Sequence, residues 1–160
     1  MAAPGVLLRE VCTYYRPTVA GPDGLSVRIP RGPLTGPAAV AKIGADLIGS
    51  EVVEVFGVVI CDGRNVPIGW SEVSRGTVNA TMVDPAAVVR PAVLIGACAI
   101  ACVHNHPSGD PAPSPEDVAV TRRVREAAEL FGLSLLDHVV VGAEGRFYSF
   151  RDSGACGAWS

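Results

Sequence analysis

Val103-His104-Asn105-His106-Pro107-Ser108-Gly109-Asp110-Pro111-Ala112-Pro113-Ser114-Pro115-Glu116-Asp117 joins two patterns of different period. Before it, Ala97 to Val103 is an apolar run of strand length. After it, from Pro115 to Phe131, apolar and charged residues recur at helical spacing. On a strand, residues i and i+2 share a face, so His104 and His106 project the same way at the strand's end. That spacing suits two imidazoles on one metal ion.

Asp117 is the third candidate ligand. Ser114-Pro115-Glu116-Asp117 reads as a helix start, with Ser114 as N-cap, Pro115 at the first helical position and acids in the first turn. The Pro- and Gly-rich loop before it can fold back and bring that helix start beside the strand end. Two imidazoles and a carboxylate on zinc leave a fourth position for water, the pattern of a catalytic site rather than a closed structural one. Taken singly, the features have plainer readings. Ser114 to Asp117 satisfies a capping box, and a His-x-His pair can simply be a polar strand end.

Read together, the stretch is H-x-H, seven residues, S, two residues, D. This resembles the JAMM motif of the JAB/MPN metalloprotease family. The fuller wording, H-N-H-P-S-G-D-P-x-P-S-x-x-D, resembles its RadC-like bacterial branch, as do Gly76-Thr77-Val78-Asn79 and Leu135-Leu136-Asp137-His138-Val139. The resemblance covers roughly Gly36 to Phe150. It implies an α/β/α sandwich around a curved, mixed β-sheet, of the cytidine-deaminase-like kind. It also implies a zinc-dependent metallopeptidase or isopeptidase with one zinc per chain, held by His104, His106 and Asp117. The substrate would be a peptide or protein.

Two further residues gain roles from the resemblance. Glu54 stands inside the otherwise apolar Val52 to Ile60. A carboxylate there is costly unless it finds a partner or an exposed position. JAMM proteins place a catalytic Glu at the start of such a strand, and Glu54 matches that place, with Glu51 and Glu72 as alternatives. It would take the proton of the attacking water and pass it to the leaving amine. Ser114 would steady the oxyanion, a role compatible with capping because a hydroxyl can accept and donate at once. Asn105 faces the other side of its strand and is read as structural. His138 is far from the motif by spacing and is read as a hydrogen-bonded core or supporting histidine, not a fourth ligand. Asp110 is a rival carboxylate, but Gly109-Asp110-Pro111 reads as a turn.

Composition agrees with an enzyme domain. The 160 residues suit one domain with a real core, and 49% are hydrophobic, enough to cover a sheet with helices. The formal net charge of -3 and the lack of a basic run give no support to nucleic-acid binding. No signal peptide or membrane-length apolar run is visible. Five cysteines, Cys12, Cys61, Cys98, Cys102 and Cys156, include no C-x-x-C. They read as reduced, mostly buried thiols of a cytoplasmic protein, with Cys98 and Cys102 sharing a strand face in the core.

Along the chain, residues 1–35 read as an arm with one candidate strand, Val6 to Thr13, and an irregular Pro17 to Pro33. Residues 36–150 form the domain and residues 151–160 a frayed tail. Thr35 is a candidate cap for a helix from Pro37 to Gly49 with Val40, Ile43, Leu47 and Ile48 inward. Glu51 to Cys61 and Val66 to Gly76 read as strands around the turn Asp62-Gly63-Arg64-Asn65. Asp84-Pro85 starts a helix showing Val88, Val89 and Val93 to the core. The helix from Pro115 shows Val118, Val124, Ala128 and Leu130 and closes at Gly132. Leu133 to Val141 and Arg146 to Phe150 are the last strands.

Other classes fit less well. The HNH nucleases share three letters with the motif but not its spacing, and zinc deaminases use H-x-E with P-C-x-x-C, which this chain lacks. A non-catalytic MPN interaction module is the main alternative, but such modules typically lack the metal ligands kept here. A DNA-repair association of RadC-like proteins gives a further alternative, which the charge does not favour. No feature of the sequence sets an oligomeric state.

Overall fold

The computed structural model describes residues 32–76, 83–157 and 159. The expected Val6 to Thr13 strand, most of the Pro17 to Pro33 arm, Cys12 and Thr77-Val78-Asn79 lie outside them.

The helix α1, Pro37–Ile48, comes first, followed by the strands β1, Val55–Cys61, and β2, Pro67–Arg75. Next come α2, Pro85–Leu94, β3, Ala99–Asn105, and α3, Pro115–Leu130. The strands β4, Ser134–Val141, and β5, Phe147–Ser149, lead into a short helix α4, Phe150–Ser153. The five strands form one sheet in the order β2-β1-β3-β4-β5. Among these neighbours β3 and β4 run parallel and the other pairs antiparallel. The crossover between β3 and β4 is α3, as a parallel pair requires a long connection.

Alternation along the strands separates two cores. Phe56, Val58, Ile60, Ile100 and Cys102 face α2 and α3, meeting Val88, Val89, Ala92, Val120, Val124 and Ala128. Val55, Val59, Ala101, Val103, Val139 and Val141 face the other way, onto Val40, Ile43, Leu47 and Ile48 of α1. The architecture is therefore the expected α/β/α sandwich around a mixed sheet. α1 can lie close to β3 because Gly44 sits against Val103, where a Cβ would collide with the valine methyl. No helix among the described residues is long and apolar enough to cross a membrane.

Several local expectations are corrected. Thr35 does not cap α1; Gly36 takes the N-cap position with no side-chain bond, and Pro37 starts the helix. β1 begins at Val55, so Glu54 stands just before the strand and is half-buried rather than enclosed. Val93 is 41% exposed and Leu130 is 85% exposed. The inward stripe of α2 is Val88, Val89 and Ala92, and that of α3 runs through Asp117, Val120, Thr121, Val124 and Ala128, so both residues fall off the core-facing side. Cys98 precedes β3 and is exposed, while Cys61, Cys102 and Cys156 are buried thiols. The tail is not frayed through Gly157: it turns as α4, and Phe150 and Cys156 pack with Val140 in a third small cluster.

Candidate metal centre

His104 lies in β3 with its ring fully buried, on the face that looks toward α3. His106 follows the strand's last residue, and its backbone N–H still reaches Val141 O at 3.1 Å. The two Nε2 atoms are 3.0 Å apart. The next residues turn back at once. Gly109 adopts φ +80°, its N–H donates to His106 O at 2.9 Å, and its own carbonyl accepts from Ala143 N at 2.9 Å and Arg146 Nη2 at 3.0 Å. Positive φ of this kind favours glycine, and here it pins the loop against the β4–β5 connection.

The loop delivers Asp117 in the first turn of α3. Its position is set by a reciprocal cap: Asp117 N–H donates to Ser114 Oγ at 3.1 Å, and Ser114 N–H donates to Asp117 Oδ2 at 2.7 Å. The Ser114 hydroxyl also donates to Oδ2, at 2.8 Å. Asp117 Oδ1 lies 3.3 Å from His104 Nε2, and Oδ2 lies 3.6 Å from His106 Nε2. One ligand atom from each of His104, His106 and Asp117 falls within 4.8 Å of the others, so the three can hold a metal ion.

The remaining ring nitrogens are already engaged. His106 Nδ1 sits 2.9 Å from Asp110 O. A carbonyl only accepts, so Nδ1 carries a hydrogen, and Nε2 is the ring atom left to face His104 and Asp117. His104 Nδ1 meets His138 Nε2 at 2.8 Å, and His138 Nδ1 meets Thr121 Oγ1 at 2.6 Å. Burial alone would raise the Asp117 carboxyl, but the neighbouring His104 and His106 rings, with the Ser114 N–H, outweigh it and hold the group well below the carboxylate range. The Asp117 hydrogen bond holds His106 above the usual histidine value, against partial burial and with the Glu54 charge adding to it. Burial, reinforced by His104, holds His138 far below that value, so its ring is neutral. An electron-rich set of this kind stays together only around a cation or a shared proton.

Glu54 borders this site. The β1–β3 register pairs Phe56 with His104, so Glu54, two residues earlier, falls opposite His106 and on its side of the sheet. Its charge is felt at His106. The rivals are tied elsewhere: Arg75 pairs with Glu51 at 2.6 Å and with Glu72 at 2.8 Å. Asn105, on the opposite face, fixes the backbone on both sides of Glu54. Its Oδ1 accepts from Val55 N at 2.7 Å, and its Nδ2 donates to Val53 O at 3.0 Å and Glu51 O at 3.2 Å.

Spacing along the chain misplaces His138. The parallel register sets it beside Cys102, two residues before His104, and the two imidazole centroids are 4.9 Å apart. Phe150 stacks on it at 4.9 Å, and Phe56 stacks on His104 at 5.9 Å. Thr121 escapes a reading of the sequence altogether. Its one signal there is its place four residues after Asp117, on the same helix face.

Comparison with known proteins gives a consistent picture. The family model described as the RadC-like JAB domain matches residues 34–155. A UPF0758 protein of Geobacter sulfurreducens is 46% identical over 101 residues, 63% of this chain and 44% of that protein. One from Symbiobacterium thermophilum is 37% identical over 145 residues, 91% of this chain and 62% of its own length. One from Xanthomonas axonopodis pv. citri is 36% identical over 152 residues, 94% of this chain and 67% of its own length. The chain thus spans about half the length of the curated relatives it matches.

Proposed function

The chain belongs to the RadC-like JAB domain family, and from that premise we propose that it is a zinc-dependent metallopeptidase or isopeptidase acting on peptide or protein amide bonds. One observation carries the reading: His104 Nε2, His106 Nε2 and the Asp117 carboxylate converge. The other nitrogen of each imidazole is already spent on a partner. Zinc matches two imidazoles and a carboxylate, and when bound it supplies Lewis acidity and a water reactive at neutral pH.

The other tasks fall to the chain's own side chains. His104 and His106 hold the ion through Nε2, and Asp117 holds it through a carboxylate oxygen. Glu54, across from His106, accepts the proton of the attacking water and returns it to the departing amine. Ser114 steadies the developing oxyanion once its hydroxyl turns from Asp117 toward substrate. The buried, unpaired thiols of Cys61, Cys102 and Cys156 fit a reducing compartment such as the cytoplasm.

The test is metal analysis joined to a cleavage screen. Native mass spectrometry should find one zinc per chain, removable by chelator, and His104→Ala and His106→Ala should each abolish it. The loaded protein should cleave members of a peptide library that the stripped protein leaves intact. A wild type that takes up no divalent ion would sink the enzyme reading.

A further inference from the structure

We propose that Thr121 and His138 are positioning residues that set the tautomer of His104, so that a lone pair and not a hydrogen on its Nε2 faces His106 and Asp117. The proposal rests on the metal-centre reading above and extends it to residues on α3 and β4 that touch no ion.

The polarity follows from counting hydrogens. Thr121 Oγ1 has one hydrogen and two short contacts, Asp117 O at 2.6 Å and His138 Nδ1 at 2.6 Å. A carbonyl oxygen can only accept. If the hydroxyl hydrogen went to His138, two oxygens would face each other at hydrogen-bond distance with no hydrogen between them. The hydroxyl therefore donates to Asp117 O, and Oγ1 accepts from His138 Nδ1–H. The His138 ring is fully buried against Phe150 and carries one hydrogen, so its Nε2 is an acceptor. At 2.8 Å from that acceptor, His104 must carry its hydrogen on Nδ1. Its Nε2 is then bare: without an ion it accepts from His106 Nε2 at 3.0 Å, and it is the atom that would join His106 and Asp117, whose Oδ1 is 3.3 Å away, on a shared metal.

The relay begins at the backbone carbonyl of one ligand, Asp117, and ends on the ring of another, His104. All four groups are buried: Asp117, Thr121, His138 and His104. Water is thereby excluded as an alternative donor that could reverse the order. Outer partners of metal-binding histidines commonly fix the ring this way, with a carboxylate, carbonyl or water as acceptor. Here the acceptor is a second neutral imidazole, whose own direction must be set in turn, and Thr121 sets it.

The first measurement needs no metal. Two-bond proton–nitrogen correlation spectra of histidine-labelled protein in chelator, at about pH 8 where free imidazoles are neutral, report which ring nitrogen carries hydrogen. His104 and His138 should both be Nδ1–H; a His104 with hydrogen on Nε2 overturns the proposal. The second measurement is zinc affinity by competition with a chromophoric chelator. Thr121→Val keeps the shape but removes the acceptor, which frees His138 to reverse and drive hydrogen onto His104 Nε2. Affinity should fall about 10–100-fold, while Thr121→Ser should retain it. Unchanged tautomers and affinity in Thr121→Val overturn the proposal.

A second pair guards against a Thr121 variant that does not fold. His138→Gln can accept from His104 and donate to Thr121, whereas His138→Phe keeps only the stack on Phe150. Gln should bind zinc about as wild type and Phe should lose the same 10–100-fold; equal affinities refute the relay. A wild type with the expected tautomers but no zinc uptake would uphold the relay and refute the metal centre, so the two ideas fail separately.

Discussion

Replacing Asn105 by Asp tests whether the backbone around Glu54 is held by a carboxamide in one orientation. Asn105 is 2% exposed, so water cannot replace what its side chain provides. It accepts one hydrogen bond, from Val55 N, and donates two, to Val53 O and Glu51 O. Asn105→Ala removes all three. At about 0.5–1.5 kcal/mol net for each bond, the loss is roughly 2–4 kcal/mol, with the orphaned Val55 N–H toward the upper end. Asn105→Asp keeps the shape and the bond from Val55 N but turns a carboxylate oxygen toward two carbonyl oxygens. At neutral pH it should therefore be at least as destabilising as Ala, despite differing from Asn by one heavy atom. Near pH 5 the introduced carboxyl, its pKa raised by burial, can hold a proton and donate to one carbonyl again, so the penalty should shrink relative to wild type. In urea, with a slope of about 2 kcal/mol/M, the middle of the usual range, Asn105→Ala should move the midpoint down by about 1–2 M. Both variants should bind zinc, because Asn105 faces away from the ligands, yet lose turnover because Glu54 is no longer held. An Asn105→Asp protein as stable as wild type at pH 7 would refute the orientation of the clamp.

Further outcomes separate the remaining roles. Glu54→Gln should bind zinc as wild type and lose about two to four orders of magnitude in turnover; loss of activity in Glu51→Gln but not in Glu54→Gln would move the base. Ser114→Gly should cost only a few tenths of a kcal/mol and Ser114→Ala about 0.5–2, while both lose about 10²–10³ in turnover if the hydroxyl serves the oxyanion. A Ser114→Gly enzyme working at the wild-type rate would leave Ser114 a helix cap. In chelator, the raised His106 value means its protonation stabilises the fold fully below the ordinary value of about 6.5, and that this contribution is lost as pH rises through the folded value. His138, held low when folded but about half-protonated near pH 6.5 when unfolded, opposes this slope until about pH 7.5, above which it is neutral in both states. Above about pH 7.5, where only the His106 contribution is left of the two and thiols are still largely protonated, the Tm of the stripped protein should then fall; a rising Tm there would contradict it.

Much of the centre is legible in the sequence because it is local. His104 and His106 are two residues apart on a strand, Ser114 and Asp117 form a capping box, and these rules act over a few residues. Asp84 likewise caps α2 as its residue type promises, accepting from Ala86 N at 3.0 Å. What escapes such a reading depends on strands meeting. The place of His138 beside His104 follows from the β3–β4 register, which no short-range pattern encodes. The same holds for Thr121, an ordinary helical threonine until β4 brings an imidazole to it. Leu130 and Val93 mislead because apolar identity persists past the point where helix rotation carries a residue off the core side. Thr35 looks like a cap by residue type, but the chain enters α1 one residue later, at Gly36.

The parallel pairing of β3 with β4 gives the site a sequence of events in time. The three candidate ligands lie on one short stretch, and closing a loop of that size takes well under a microsecond. His138 is 34 residues from His104 along the chain and reaches it only after α3 has formed and crossed over the sheet. Non-local pairing of this kind is the slow part of folding. A refolding or newly made chain thus passes through an interval in which two imidazoles and a carboxylate can close on an ion while His104 still samples both tautomers. On the proposed relay, an ion bound in that interval would lack the partner that sets the His104 ring. Docking of β4 would supply that partner, so the relay proposed above would be complete only once the non-local pairing has formed.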